Sequence, residues 1–200
     1  MKPSRMNKIP EKIENYLQKN PLRVINNIPL EPRNGPSSKI EGPFELEDKS
    51  TYEGEIWNGL RVGYGKQVWK DGAFYEGFWK EDQTCGVGRQ IFANGNIYEG
   101  EWFRGRPHGF GKYIDKENES VYEGDWNSGS KSGRGVEKYK DGSKYTGSFL
   151  NSHKHGKGDF KWKDGSMYTG EFYDDRIEGQ GKTPKIFFYF LGIYSWKDGR

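Results

Sequence analysis

Tyr98-Glu99-Gly100-Glu101-Trp102 reads as a strand with two unlike faces. Successive side chains of a strand point to opposite sides, so Tyr, Gly and Trp share one face and the two glutamates share the other. Glycine at the centre leaves room for a ring to lie across the backbone. A polar turn follows at Arg104-Gly105, and the pair Gly109 and Gly111 then opens a second strand. Elsewhere the second strand ends in Asp71-Gly72, Asn94-Gly95, Asp141-Gly142 or Asp164-Gly165, dipeptides that favour tight hairpins. The stretch is one hairpin.

It recurs. Tyr stands at Tyr52, Tyr75, Tyr98, Tyr122, Tyr145 and Tyr168, at intervals of 23, 23, 24, 23 and 23 residues. Two places after each is a glycine, and four places after stand Ile56, Trp79, Trp102, Trp126, Phe149 and Phe172. Gly-x-Gly pairs follow, from Gly63 and Gly65 to Gly179 and Gly181. A lone hairpin is marginal in water, so repetition at this period predicts hairpins stacked side by side. The expected fold is all-β: an elongated single-sheet solenoid of stacked β-hairpins over residues 42–182. Gly42 to Lys49 reads as a half-repeat capping the first sheet edge. Ile56 replaces the ring of the first repeat, with Trp57 displaced by one. In the third repeat Glu117-Asn118-Glu119-Ser120 predicts a longer or bulged loop.

The ends do not repeat. Residues 1–41 read as a mostly irregular leader with one short helix from Pro10 to Lys19, stopped by Asn20-Pro21, with Ile13, Tyr16 and Leu17 as its apolar face. The leader is either floppy or a docking peptide or arm folded along the sheet. Residues 183–200 read as an irregular tail. Removing Thr183 to Ile193 would join Lys182 to Tyr194 and return Asp198-Gly199 to the expected register, so these eleven residues are read as an insert, and the chain stops where a seventh Tyr-rich strand is due.

Composition agrees with short strands. The 200 residues are 32% hydrophobic and 16% aromatic, with 29 glycines and a net charge of +3. The aromatic content and weak self-repulsion oppose disorder, and the glycines exclude a helical bundle. Cys85 is the single cysteine, so no internal disulfide exists, and no Cys/His cluster has zinc spacing. The longest apolar run, Ile186 to Tyr194, is too short to span a bilayer, which needs roughly 20 residues. The first twenty residues lack a continuous apolar stretch, so no signal peptide is expected before the repeats. The expected location is cytoplasmic, which leaves the sequon Asn118-Glu119-Ser120 inert.

Catalytic and cofactor chemistry finds no foothold. Gly179-Gln180-Gly181-Lys182-Thr183 ends like a phosphate loop, but Arg176 stands where its first glycine belongs. His108 and His155 occupy a slot that also holds Val62, Cys85, Ser132 and Glu178, which reads as a turn position rather than a ligand. Glu53, Glu76, Glu99 and Glu123 recur at the repeat period and read as a solvated face with cross-strand lysines such as Lys66 and Lys112. Cys85 has no basic neighbour close in sequence to activate it. No catalytic, metal-binding or cofactor-binding residue is expected, and no cofactor.

Two surfaces remain. The Tyr-Gly-Trp positions read as packing, which leaves the second-strand rings Trp69, Phe92, Tyr139 and Trp162 as the candidate interaction surface. Charge is uneven: residues 42–130 carry 10 basic and 16 acidic side chains, residues 131–181 carry 10 and 8. Lys131, Arg134, Lys138, Lys140, Lys144, Lys154, Lys157, Lys161 and Lys163 form a candidate anionic-lipid patch. The acidic first half opposes flat membrane binding and nucleic acid. It could also meet the basic region of a second copy, giving an antiparallel homodimer.

Tyr-Glu-Gly-Glu-Trp followed by Gly-x-Gly resembles the MORN (membrane occupation and recognition nexus) repeat, over residues 42–182. The resemblance implies a non-catalytic array that presents a sheet surface to protein partners, and links it to the cytoskeleton or cilium. Some arrays of this kind have been linked to acidic phospholipids, so membrane tethering is the alternative reading. A further alternative is a regulatory fragment of a larger enzyme such as a phosphatidylinositol phosphate kinase.

Overall fold

The computed structural model describes residues 7–22, 40–178 and 192–195. The chain divides into two units, Met1–Gly109 and Phe110–Arg200. The first unit holds α1 (Glu11–Lys19) and strands β1 (Ile40–Glu45), β2 (Thr51–Trp57), β3 (Leu60–Val68), β4 (Phe74–Lys80), β5 (Gln83–Ile91) and β6 (Ile97–Phe103). β7 (Arg106–Asp115) carries the division. The second unit holds β8 (Ser120–Asn127), β9 (Ser130–Lys138), β10 (Lys144–Leu150), β11 (His153–Lys161), β12 (Met167–Tyr173), β13 (Arg176–Ile177) and β14 (Gly192–Ser195). In the first unit β1 to β6 pair antiparallel in chain order, and in the second β8 to β13 do the same. The fold is all-β, built of antiparallel hairpins in succession.

The turns explain the pairing. Asn58 and Gly59 adopt φ of 50° and 78°, the double left-handed turn whose twist suits a two-residue hairpin. Glu81-Asp82 and Asp174-Asp175 hold the same conformation without glycine. Contacts with the preceding hairpin offset that strain. The Asp82 N–H donates to the Arg61 carbonyl at 3.1 Å, and its carboxylate accepts from the Arg61 N–H at 2.9 Å. Asp175 and Lys154 repeat the exchange at 3.0 Å each way.

Second strands begin earlier than the glycine pairs suggest. β3 starts at Leu60, and Gly63 lies inside it at a φ of 59°, where the β2–β3 register shifts. The extra residues form a bulge. Glu55 accepts the Tyr64 N–H there at 2.9 Å, as Asp125 accepts the Arg134 N–H at 2.8 Å.

The core is a ladder of rings. Tyr52, Tyr75, Tyr122 and Tyr145 each fold back over their own glycine pair, so a Cβ on Gly54 would stand 2.5 Å from the Tyr52 hydroxyl oxygen. That hydroxyl donates to the Glu55 carbonyl, and the other five tyrosines bond to the residue three places on. Trp79 stands edge-on to Tyr52 and Tyr75 at 5.6 and 5.1 Å. In the second unit Phe149 does the same between Tyr122 and Tyr145 at 4.9 and 5.1 Å. Edge-to-face packing suits the ring quadrupole. All six tyrosines are buried. Ile56 takes the ring position of the first repeat half-buried, leaving Trp57 exposed.

β1 pairs with the outer edge of β2 and starts at Ile40. In the long third-repeat loop the Asp115 carboxylate accepts the backbone N–H groups of Glu117 and Asn118, each at 3.0 Å. Of the leader, Ile40 and Glu41 belong to β1, and residues 7–22 lie against the strands of the first unit. Asn7 donates its N–H to Thr51 Oγ1 at 3.0 Å, Pro10 approaches Gly72, and the Arg89 guanidinium carbon is 5.5 Å from the Tyr16 ring centre. The arm therefore passes across the strands from β2 towards β5.

β13 and β14 both pair with β12. Phe172 faces Ile177 as Phe149 faces Lys154, and Gly170 faces Gly192 as Gly147 faces Gly158. Together they occupy the two ends of one second strand. Residues 183–191 of the insert and the tail beyond Ser195 lie outside the described residues, as does the phosphate-loop-like stretch from Gly179.

Candidate functional site

Paired residues of neighbouring strands share a face, so register sorts every side chain. On the ladder face Tyr52, Gln67, Tyr75, Gln90 and Tyr98 form one cross-strand row in the first unit. In the second unit the matching row is Tyr122, Glu137, Tyr145, Phe160 and Tyr168.

The four predicted interaction rings lie one step past these rows. Trp69, Tyr139 and Trp162 are half-buried and Phe92 is 37% exposed. Each ends its second strand at a turn, where its backbone N–H donates across the loop. Tyr139 stacks on Phe160 at 5.9 Å, and Phe160 meets Trp162 at 4.9 Å. This gives the second unit a run of three partly exposed rings. Phe160 was not singled out from sequence; its pairing opposite Tyr145 and Tyr168 is what reveals it. Burial raises the Tyr139 hydroxyl pKa, and its hydrogen bond to Glu137 raises it further.

The predicted basic patch is divided between faces. Lys131 pairs with Glu137 and lies over the Tyr122 ring. Lys154 bonds Asp175 at 3.1 Å and lies 5.4 Å from the Tyr139 ring centre. Both belong to the ladder face and are engaged. Lys140 pairs with Glu119, and Lys163 lies in a turn. On the opposite face Lys138, Lys144 and Lys161 stand in direct cross-strand register, all exposed. Arg134 and Lys157 lie on that face too, opposite Ser148 and Glu171.

The glutamate face of the first unit is not the solvated surface expected. Glu53, Lys66, Glu76, Arg89 and Glu99 form one row there. Arg89 is 1% exposed and reaches Glu76 at 3.1 Å and Glu99 at 2.5 Å. Burial raises the Glu76 carboxyl pKa, against the pull of Arg89 and Lys66. Burial also pushes the Tyr64 hydroxyl up to about 12, with Glu76 adding to it. The next row, Val68, Phe74, Ile91 and Ile97, is buried. Side chains on an open sheet face become buried only beneath a cover, and α1 supplies Tyr16 directly above Arg89. Glu123, in the second unit, is exposed.

Other sequence candidates also settle differently. Cys85, His108 and His155 lie in strands β5, β7 and β11 rather than in turns. The histidine rings rest against Phe103 and Tyr173. Among the described residues no group of three or more His, Cys, Asp or Glu could hold a metal ion, and no helix is long and apolar enough to cross a membrane.

No curated protein matches this chain. Among solved structures it is similar to the TCP domain of Drosophila melanogaster SAS-4 (dCPAP), solved in complex with a proline-rich motif of Ana2 (dSTIL). Identity is 15%, coverage 84% of this chain and 82% of that one, and the TM-score 0.43. It is also similar to the TCP10 domain of Danio rerio CPAP in complex with a STIL peptide. There identity is 12%, coverage 62% and 64%, and the TM-score 0.28. The MORN repeat matches residues 52–74, 75–97, 98–118, 122–144, 145–167 and 168–183 in succession. Six consecutive repeats matched over more than half of its length make this chain a member of the MORN repeat family.

Proposed function

We propose that this chain is a non-catalytic scaffold that binds other proteins in the cytoplasm and serves the cytoskeleton or cilium. The run Tyr139, Phe160 and Trp162 carries the reading. The repeat tyrosines and tryptophans are consumed by the ladder, whereas these three rings remain partly exposed beside it. Rings bury large area at small entropic cost, which suits them to anchor a protein interface. The cytoskeletal address comes from the family resemblance.

A photo-crosslinking side chain placed at Trp162 tests this in cells that express the chain. Recurrent crosslinks to a defined protein, absent when the same group replaces exposed Lys70, support the scaffold. Crosslinking no different from that at Lys70, or turnover of a substrate by the purified chain, overturns it.

A further inference from the structure

We infer that the face of the second unit opposite the ladder is a docking site for an acidic amphipathic helix of a partner protein, with Lys138, Lys144 and Lys161 as its cationic rail. The inference rests on the scaffold reading and adds a surface and a ligand chemistry to it.

The row runs Val121, Lys138, Lys144, Lys161, Met167, one residue from each of five adjacent strands. Like charges directly opposite each other oppose sheet formation, and here three stand in sequence. None of the three lysines has an ion pair among the described residues, and all are exposed. A negatively charged partner would relieve that repulsion. The three lysines are flanked by half-buried Val121 on one side and by Met167, 37% exposed, on the other, with Ser195 of β14 next to Met167. Apolar groups flanking a charged centre match a helix that carries both.

Geometry favours a helix. Neighbouring strands are about 4.8 Å apart, so the lysines repeat at roughly that step across the strands. Acidic residues three or four apart on a helix repeat at about 4.5–6 Å along its axis. The first unit already shows such an element: its own arm and α1 pass across the strands on the corresponding face. There the matching row is Thr51, Val68, Phe74, Ile91 and Ile97, largely apolar. The substitution of lysines for Val68, Phe74 and Ile91 changes the helix this face would accept from apolar to acidic.

A flat anionic membrane fits less well. The adjacent row contains Glu123 and Asp159, both exposed, within one Debye length of about 8 Å. A bilayer would press against these acids, whereas a single helix can follow the lysine row alone.

The test uses a fluorescent helix-forming peptide of about 21 residues, long enough to hold helix, with Glu at every third or fourth position on one face and Leu beside them. A Gln-for-Glu version is the control. The full chain should bind the acidic peptide, weaken with salt, and ignore the control. Lys138→Gln, Lys144→Gln and Lys161→Gln together should weaken binding roughly tenfold or more, with no loss of thermal stability because the repulsive row is gone. Lys70→Gln with Lys80→Gln should leave binding unchanged. Equal binding by wild type and triple variant overturns the site. So does binding of phosphatidylserine vesicles, lost in the triple variant, without binding of the peptide. Crosslinks from Trp162 that persist when this site fails leave the scaffold standing; loss of both removes both.

Discussion

The Arg89 guanidinium, held between Glu76 and Glu99 on the first unit, lies beneath the ring of Tyr16, a residue of the N-terminal arm. Burial first, then the nearby Glu99 charge, raises the pKa of the Tyr16 hydroxyl. One aromatic residue of the helix therefore closes over a charge cluster made by three strands.

Tyr16→Ala should free the arm. Loss of a cation–π contact and of ring burial predicts a destabilisation of about 1–2 kcal/mol in the first unit. Hydrogen exchange should speed up in α1 and at β4–β5 but not at β10–β11. Tyr16→Phe should retain most of the protection.

Gly158→Ala should be costly for a reason unlike that of a turn glycine. Its Cβ would stand 2.5 Å from the Tyr145 hydroxyl oxygen, inside the ladder. Overpacking of this kind costs about 1–3 kcal/mol or more. At Gly129, φ is 94° and a Cβ would meet nothing within 4 Å, so Gly129→Ala should cost only the backbone penalty of about 1–2 kcal/mol. Urea denaturation of the two variants should rank Gly158→Ala as the weaker fold.

Acid should loosen the hairpin turns. Burial alone would raise the Asp82 carboxyl, but the Arg61 N–H, side chain and charge outweigh it and hold its pKa below the ordinary value. The unfolded chain then binds the proton more readily, near an ordinary pKa of about 3.9, so stability rises with pH through that window. The contribution is present above the unfolded pKa and lost as pH falls through the folded one. Asp82→Asn should flatten the acid limb of a stability–pH curve while lowering stability at neutral pH.

Removing residues 182–192 should preserve the fold. The cut joins Gly181 to Ile193, and the pairing of Gly170 with Gly192 then passes to Gly181 at the register of Gly147 with Gly158. Shortening the connection between β13 and β14 lowers loop-closure entropy slightly. Circular dichroism should be unchanged and the melting temperature equal or higher; a collapsed strand signal would contradict the register.

Period and alternation made the hairpins and the ladder tyrosines legible, and Pro10 with Asn20-Pro21 marked the ends of the helix, because these signals depend on residues a few places apart. The turn assignment of Cys85, His108 and His155 failed because the bulge glycines lie within strands, three residues past the strand start. The basic cluster was visible, but its division between two faces was not. Sequence proximity does not say which side of a sheet a lysine takes once a bulge has shifted the register.

The sequence by itself therefore determined the repeating unit and the face that carries its rings: alternation along a strand and the space beside a glycine are local facts. Only the tertiary structure decided that Glu76 and Arg89 are buried while Lys138, Lys144 and Lys161 form an open row. Both outcomes depend on cross-strand register and on what is laid over the sheet, and neither is written in any short stretch of chain.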